Sequence, residues 1–207
     1  MPEISKVKTP LSEANLCLVL HNAHVNTLGG YPTLERLACA WAHVAHENAR
    51  GAAIWCNNFG NISAFGGWSG DYYVILCDEQ QAPGVWMTVA MRFRAHPTPD
   101  QGAGDYWTRM VKQWPVTLER FDAGDPAGAA HALKVGRFYT ANEGPYATDM
   151  TKLYQRGLDI VRASGVALAP SSGSGGGLSS GPGLAVLVGG AIWAAVKLAG
   201  HFGRFYG

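Results

Sequence analysis

From residue 1 to about 165, apolar and polar segments alternate at element-sized intervals with turn signals between them. Thr9-Pro10 reads as a helix start, a capping hydroxyl followed by a first-turn proline. That helix is expected to run to about Asn26, where Gly29-Gly30 stop it. Leu34, Leu37, Trp41 and Val44 then recur at helical spacing and predict a second helix from Thr33 to near Gly51. "DYYVILCDEQQAPGVWMTVAMRFR" is rich in Tyr, Val, Ile and Trp and predicts two strands around the turn "DEQQAPG". Three further helices are expected over "GAGDYWTRMVKQW", "DPAGAAHALKV" and "YATDMTKLYQRGLDIVRAS", the second opened by the Asp125-Pro126 pair. The fold class is therefore mainly α (α+β), a helical domain with one β-hairpin in its middle.

Beyond 165 the pattern changes. Residues 166–183 contain "SSGSGGGLSSGPG", a flexible linker by composition. Residues 184–207, "LAVLVGGAIWAAVKLAGHFGRFYG", are apolar from Leu184 to Val196, shorter than the roughly 20 residues a membrane span needs. Lys197 can snorkel, and Trp193, Phe202, Arg204, Phe205 and Tyr206 resemble an interfacial belt. Gly189, Gly190 and Ala194 suit close helix packing in lipid. The expectation is a C-terminal hydrophobic helix acting as a membrane anchor; the alternative is a helix buried against another protein.

Composition narrows the class. Apolar residues make up 47% of the 207 and charged residues 15%, which marks a globular chain. A net charge of +1 with scattered Lys and Arg gives no electrostatic case for nucleic acid. Cys17, Cys39, Cys56 and Cys77 lie far apart with no C-x-x-C pair, so zinc ribbons and thioredoxin chemistry are set aside and buried free thiols expected. "MPEISKVKTPLSEANL" has no apolar core of a cleavable signal peptide, so a substrate outside the cytoplasm would require another route of delivery.

The densest chemistry lies in "AWAHVAHENARGAAIWCNNFGNIS". His43, His46 and Glu47 form H-x-x-H-E, with His21 and His24 one helix earlier, but the spacing does not match H-E-x-x-H, and no metal or other cofactor is expected. No G-x-S-x-G elbow is present, and Cys56 beside a histidine is a chance pairing. Gly66-Gly67 is not followed by a phosphate-binding Lys-Ser or Lys-Thr. Asn61-Ile62-Ser63 matches a glycosylation acceptor, a frequent coincidence. Glu47 stands apart: at a helix C-terminus its carboxylate faces the unfavourable end of the dipole, and Trp41, Trp55 or Phe59 nearby would add desolvation. Both effects raise the pKa, as donation of a proton to a glycosidic oxygen requires. The plain alternative is a solvated helix-end glutamate paired with Arg50.

The same stretch resembles the catalytic core of bacterial peptidoglycan-cleaving glucosaminidases of flagellar and autolysin type, within the lysozyme-like superfamily. Glu47, Gly51, Asn57, Asn58, Phe59, Gly60 and Ile62 match a helix-end glutamate followed by an Asn-Asn-x-Phe-Gly-Ile-like turn. Phe93, Arg94, Asp105 and Tyr106 match the hairpin exit and the helix after it, and Tyr139, Thr140 and Tyr146 a third segment in the same order. The resemblance covers about Thr33 to Leu158. The Glu-to-Asn-Asn interval is shorter than usual, His96 replaces a tyrosine, and Tyr139-Thr140 lacks an intervening alanine.

The resemblance implies a lysozyme-like domain that hydrolyses a β-1,4 bond of peptidoglycan glycan strands, with Glu47 as general acid. It implies that Tyr139 contacts the sugar or catalytic water and that Asn58 and Phe59 shape the floor beside the glutamate. Trp68 and Tyr146 complete the substrate-binding set. Among Asp71, Asp78 and Glu79, Glu79 is preferred as a second carboxylate because the turn could close over substrate. Rival readings are a muramidase or lytic transglycosylase of the same fold, a non-catalytic wall-binding virion module, and a carrier for a membrane-perturbing tail. The architecture fits a membrane-associated, wall-acting phage component, a lysis enzyme or a virion protein, as well as a bacterial enzyme exported by a dedicated system.

Overall fold

Six α-helices build the main core and one hairpin a smaller one in the computed structural model, which describes residues 2–171 apart from 66, 83 and 84, with 78–82, 85 and 86 described by backbone alone. Helix α1 (Glu13–Leu28) opens at Ser12, whose hydroxyl accepts from the Asn15 amide. This corrects the expected start at Thr9-Pro10. The Thr9 hydroxyl instead accepts from the Asn57 amide at 3.0 Å, and the chain before it is extended. Glu3 bridges to Tyr72 and Lys8 to Trp55, so the N-terminal segment ties the hairpin base to the loop after α2.

Helix α2 (Leu34–Glu47) is the centre of the domain. Thr33 caps it, and every residue from Leu37 to Ala45 is buried. A helix buried on all sides must present small residues to its neighbours, and Ala38, Cys39, Ala40 and Ala42 do so. It packs against α6 (Glu143–Ser164) and, more briefly, against α4 (Pro115–Asp122) and α1. At the α2–α6 crossing, a Cβ on Gly157 would lie 2.8 Å from the Ala38 carbonyl oxygen, so the two backbones touch.

Strands β1 (Tyr72–Ala82) and β2 (Val85–Arg94) pair antiparallel, with Tyr72 opposite Arg94 and Glu79 opposite Met87. Tyr73, Cys77, Met91 and Phe93 form a small second core with Cys56. Helices α3 (Pro99–Gln113), α4 and α5 (Pro126–Val135) follow, each with proline in its first turn. Pro115 starts α4, which the patterning did not predict, a two-turn element too short for its own periodic signature. The folded chain also continues past the expected boundary at 165. Val166 and Leu168 pack against the core, and the Ala169 amide donates to the Pro32 carbonyl. The rest of the predicted linker and the apolar segment, 172–207, lie outside the described residues; among the described ones no helix is long and apolar enough to cross a membrane.

Candidate active site

Glu47 is the last residue of α2 and is half-buried. Its backbone and side chain are gripped from two directions. Oε1 accepts from the Tyr146 hydroxyl at 2.8 Å, and Oε2 accepts from the Asn61 side-chain amide at 3.1 Å. The same Asn61 nitrogen donates to the Glu47 main-chain carbonyl at 2.8 Å, meeting one of the orphan carbonyls of a helix end. Arg50, the partner in the plain alternative reading, lies 3.8 Å from Glu13.

Tyr146, in the first turn of α6, is held by rings on both sides. Tyr139 stacks on it with centroids 3.9 Å apart, and His46 meets it edge-on at 4.2 Å. Burial, then the charge of Glu47 and the hydrogen bond to it, push the Tyr146 phenol well above its ordinary pKa, so it stays protonated. Tyr139 is 3% exposed and its hydroxyl donates to the Ala130 carbonyl at 3.0 Å. The Tyr139 hydroxyl, expected to meet sugar or water, is turned into the domain, and its ring supports that of Tyr146. Burial, with the charges of Glu143 and Glu47, raises its phenol pKa as well.

Asn58 and Phe59, expected to shape the floor beside the glutamate, are 0% exposed and present no side chain to solvent. Asn58 organises the loop. Its amide nitrogen donates to the carbonyls of Ile62 (2.8 Å) and Arg94 (3.0 Å), and its oxygen accepts from the Ile62 amide at 2.7 Å. Cys56, Asn57, Gly60 and Asn61 all have positive φ, a tight turn that Gly and Asn adopt readily. Arg94 supports it from outside, donating to the Ser63 carbonyl at 3.1 Å and to Asp105 at 2.7 Å.

Trp68 is half-buried, with its indole N–H on the Asp71 carbonyl and its ring 4.4 Å from the Arg94 guanidinium. Glu79 is in β1 opposite Met87, on the face that carries Tyr73 and Cys77; its side chain lies outside the described residues. Among the described residues no group of three or more His, Cys, Asp or Glu is arranged to hold a metal ion. His43 is buried, with Nδ1 3.0 Å from the Tyr106 hydroxyl, and His21 Nε2 is 2.8 Å from the Ala167 carbonyl.

The residue that patterning missed is Asn61. In sequence it is one asparagine among three, and its motif match pointed to glycosylation. Only the left-handed turn at Gly60-Asn61 turns its amide onto the glutamate, and the sole trace of that in the sequence is the Gly-Asn pair itself.

No family model matches the chain, and no curated protein matches it in sequence. Solved structures do. A peptidoglycan hydrolase mutant from Sphingomonas sp. A1 superposes with a TM-score of 0.55 at 16% identity, covering 72% of this chain and 99% of that one. The peptidoglycan hydrolase from the same organism gives 0.51 at 21% identity, over 77% and 99%. The catalytic domain of the autolysin Auto from Listeria monocytogenes gives 0.52 at 16%, over 75% and 89%. At these identities the likeness shows a shared fold, and the mainly helical architecture with a two-stranded antiparallel sheet agrees with the fold class expected from the sequence.

Proposed function

We propose that this chain is a peptidoglycan glycosidase, cleaving a β-1,4 bond of the glycan strand as an N-acetylglucosaminidase, with Glu47 as general acid. One observation carries the reading. A single half-exposed carboxyl group ends the central helix and is fixed through both oxygens by Tyr146 and Asn61, in a fold shared with solved peptidoglycan hydrolases. A group held this way keeps its geometry while a glycosidic oxygen approaches, which is what general-acid catalysis needs. Trp68 offers a partly exposed ring as a sugar platform. Glu79, in β1 of the hairpin, is the proposed second carboxylate; a wide separation from Glu47 goes with inversion by water, and a short one with a covalent intermediate.

The apolar composition of 184–196 and the Gly/Ser stretch before it support a tether holding the domain at a membrane beside the wall, for which a phage lysis enzyme or virion protein is one setting. Digestion of purified peptidoglycan by the wild-type chain and by Glu47→Gln, with mass spectrometry of the products, tests the central proposal. New reducing N-acetylglucosamine ends that vanish in the variant are expected. Reducing or anhydro-muramic ends would move the cleavage to the neighbouring bond, and equal digestion by the variant would remove Glu47 from catalysis.

A further inference from the structure

The two oxygens of Glu47 keep different company. The Asn61 nitrogen that donates to Oε2 also donates to the Glu47 main-chain carbonyl. That double contact fixes the orientation of the amide, because turning it over would set its own oxygen against two acceptors. Asn61 can therefore only donate to Oε2. The Tyr146 hydroxyl at Oε1 is free of that restriction, since a phenol can donate or accept.

We propose that Asn61 is a positioning residue that makes Oε1 the proton-carrying oxygen of the acid, with Tyr146 turning from donor to acceptor when the proton is present. This rests on Glu47 being the general acid. In the forward step the Oε1 proton leaves the Tyr146 oxygen for the bridging oxygen as the anomeric C–O bond breaks, the bonding pair stays on the departing sugar, and Tyr146 turns back to donate. Water adds its oxygen to the anomeric carbon and releases a proton, which restores the acid. The carboxylate left between these events is the form to which both Asn61 and Tyr146 donate, so both contacts strengthen as the proton leaves.

The loop that presents Asn61 does not depend on the Asn61 side chain. Asn58 ties its two ends, and Arg94, anchored on Asp105, holds Ser63. With a φ of +50° at this position, glycine keeps the turn while removing the amide. Other titratable groups around Glu47 are His46 on its own helix, Asp149 beside His46 on α6, Tyr106 on α3, and Tyr139 in the loop before α6. None of these is altered in the variants below.

The experiment is the pH profile of kcat/KM on purified peptidoglycan for wild type, Asn61→Gly and Asn61→Asp, with the Glu47 carboxyl titrated by carbon NMR in each. Losing a donor to the carboxylate makes it hold its proton more tightly. The alkaline limb and the NMR midpoint are therefore expected to move up by about half to one pH unit in Asn61→Gly, and further in Asn61→Asp, where a second carboxylate faces the first. An equal loss of rate at every pH with an unmoved midpoint would overturn the proposal and reduce Asn61 to a loop residue. The NMR titration needs no turnover, so an inactive wild type would defeat the hydrolase reading while the effect of Asn61 on the carboxyl is judged separately.

Discussion

At the scale of single residues, the site depends on one carboxyl group and two neutral donors. Glu47 was legible in the sequence because a glutamate at the end of an apolar-striped helix, running into "CNNFGNIS", has no packing reason to be there. Its partners were legible only in part: Tyr146 by type and order, Asn61 not at all, since 14 residues separate it from Glu47 and a turn alone joins them. Tyr146→Phe keeps the stacked ring and removes only the hydroxyl that meets Oε1. Glycan cleavage is expected to fall by about 10- to 100-fold with thermal stability nearly unchanged, checked by product release and melting in parallel. Tyr139→Phe breaks a buried bond to Ala130 instead, so it should lower stability by about 1 kcal/mol in denaturant unfolding and affect cleavage less.

Between elements, close approaches and one buried network set the geometry. A Cβ at Gly102 of α3 would lie 1.7 Å from the Asn57 carbonyl oxygen, so the loop that carries Asn61 rests directly on that helix. Gly102→Ala should displace the loop and cost both stability and cleavage, whereas Gly104→Ala, whose nearest neighbour is the Thr27 hydroxyl at 3.2 Å, should be close to neutral. Comparison of the two variants by melting and by product release separates crowding from helix propensity. Helices α1, α2 and α4 are joined by His24, Arg36 and Asp122. Arg36 pairs with Asp122 and approaches His24 Nε2 at 3.1 Å, while His24 Nδ1 faces the Gly30 carbonyl at 3.2 Å. That leaves Nδ1 as donor and Nε2 as acceptor, the neutral ring, and burial followed by the charge of Arg36 lowers its pKa to about 4. A lowered folded-state value contributes stability above the unfolded pKa near 6.5 that is lost as pH falls toward about 4. Urea unfolding across that window should show a loss of order 3 kcal/mol in wild type that His24→Gln lacks. The helices themselves were mostly readable from periodicity; these contacts were not, because they join residues far apart in the chain.

At the scale of the whole molecule, the apolar run of 184–196 follows the domain in sequence, after a Gly/Ser-rich stretch. Contacts of the described domain reach Ser171, whose hydroxyl donates to Glu35, so a chain ending there keeps every described contact. Residues 1–171 are expected to digest peptidoglycan as the full chain does but to lose co-sedimentation with phospholipid vesicles. Equal sedimentation of both would remove the tail from membrane attachment.

What can be read from the chain alone is local: seven of the eight α-helices and strands described, the hairpin and its order, and the glutamate at a helix end. Each of these is written in residues within a few turns of one another, where capping, periodicity and turn chemistry act. The true start of α1 and the break before α4 were decided by tertiary structure. Thr9 was taken by the Asn57 amide instead of by a helix, and α4 was too short to show a period. The clamp on Glu47 was decided there too. It joins the end of α2, a left-handed turn and the start of α6, and those three meet only because the backbones of α2 and α6 touch at Gly157 and α3 presses the loop at Gly102. Hydrophobic patterning specifies which faces are buried, whereas the direction of a hydrogen bond at a carboxyl oxygen depends on where the packed backbones come to rest.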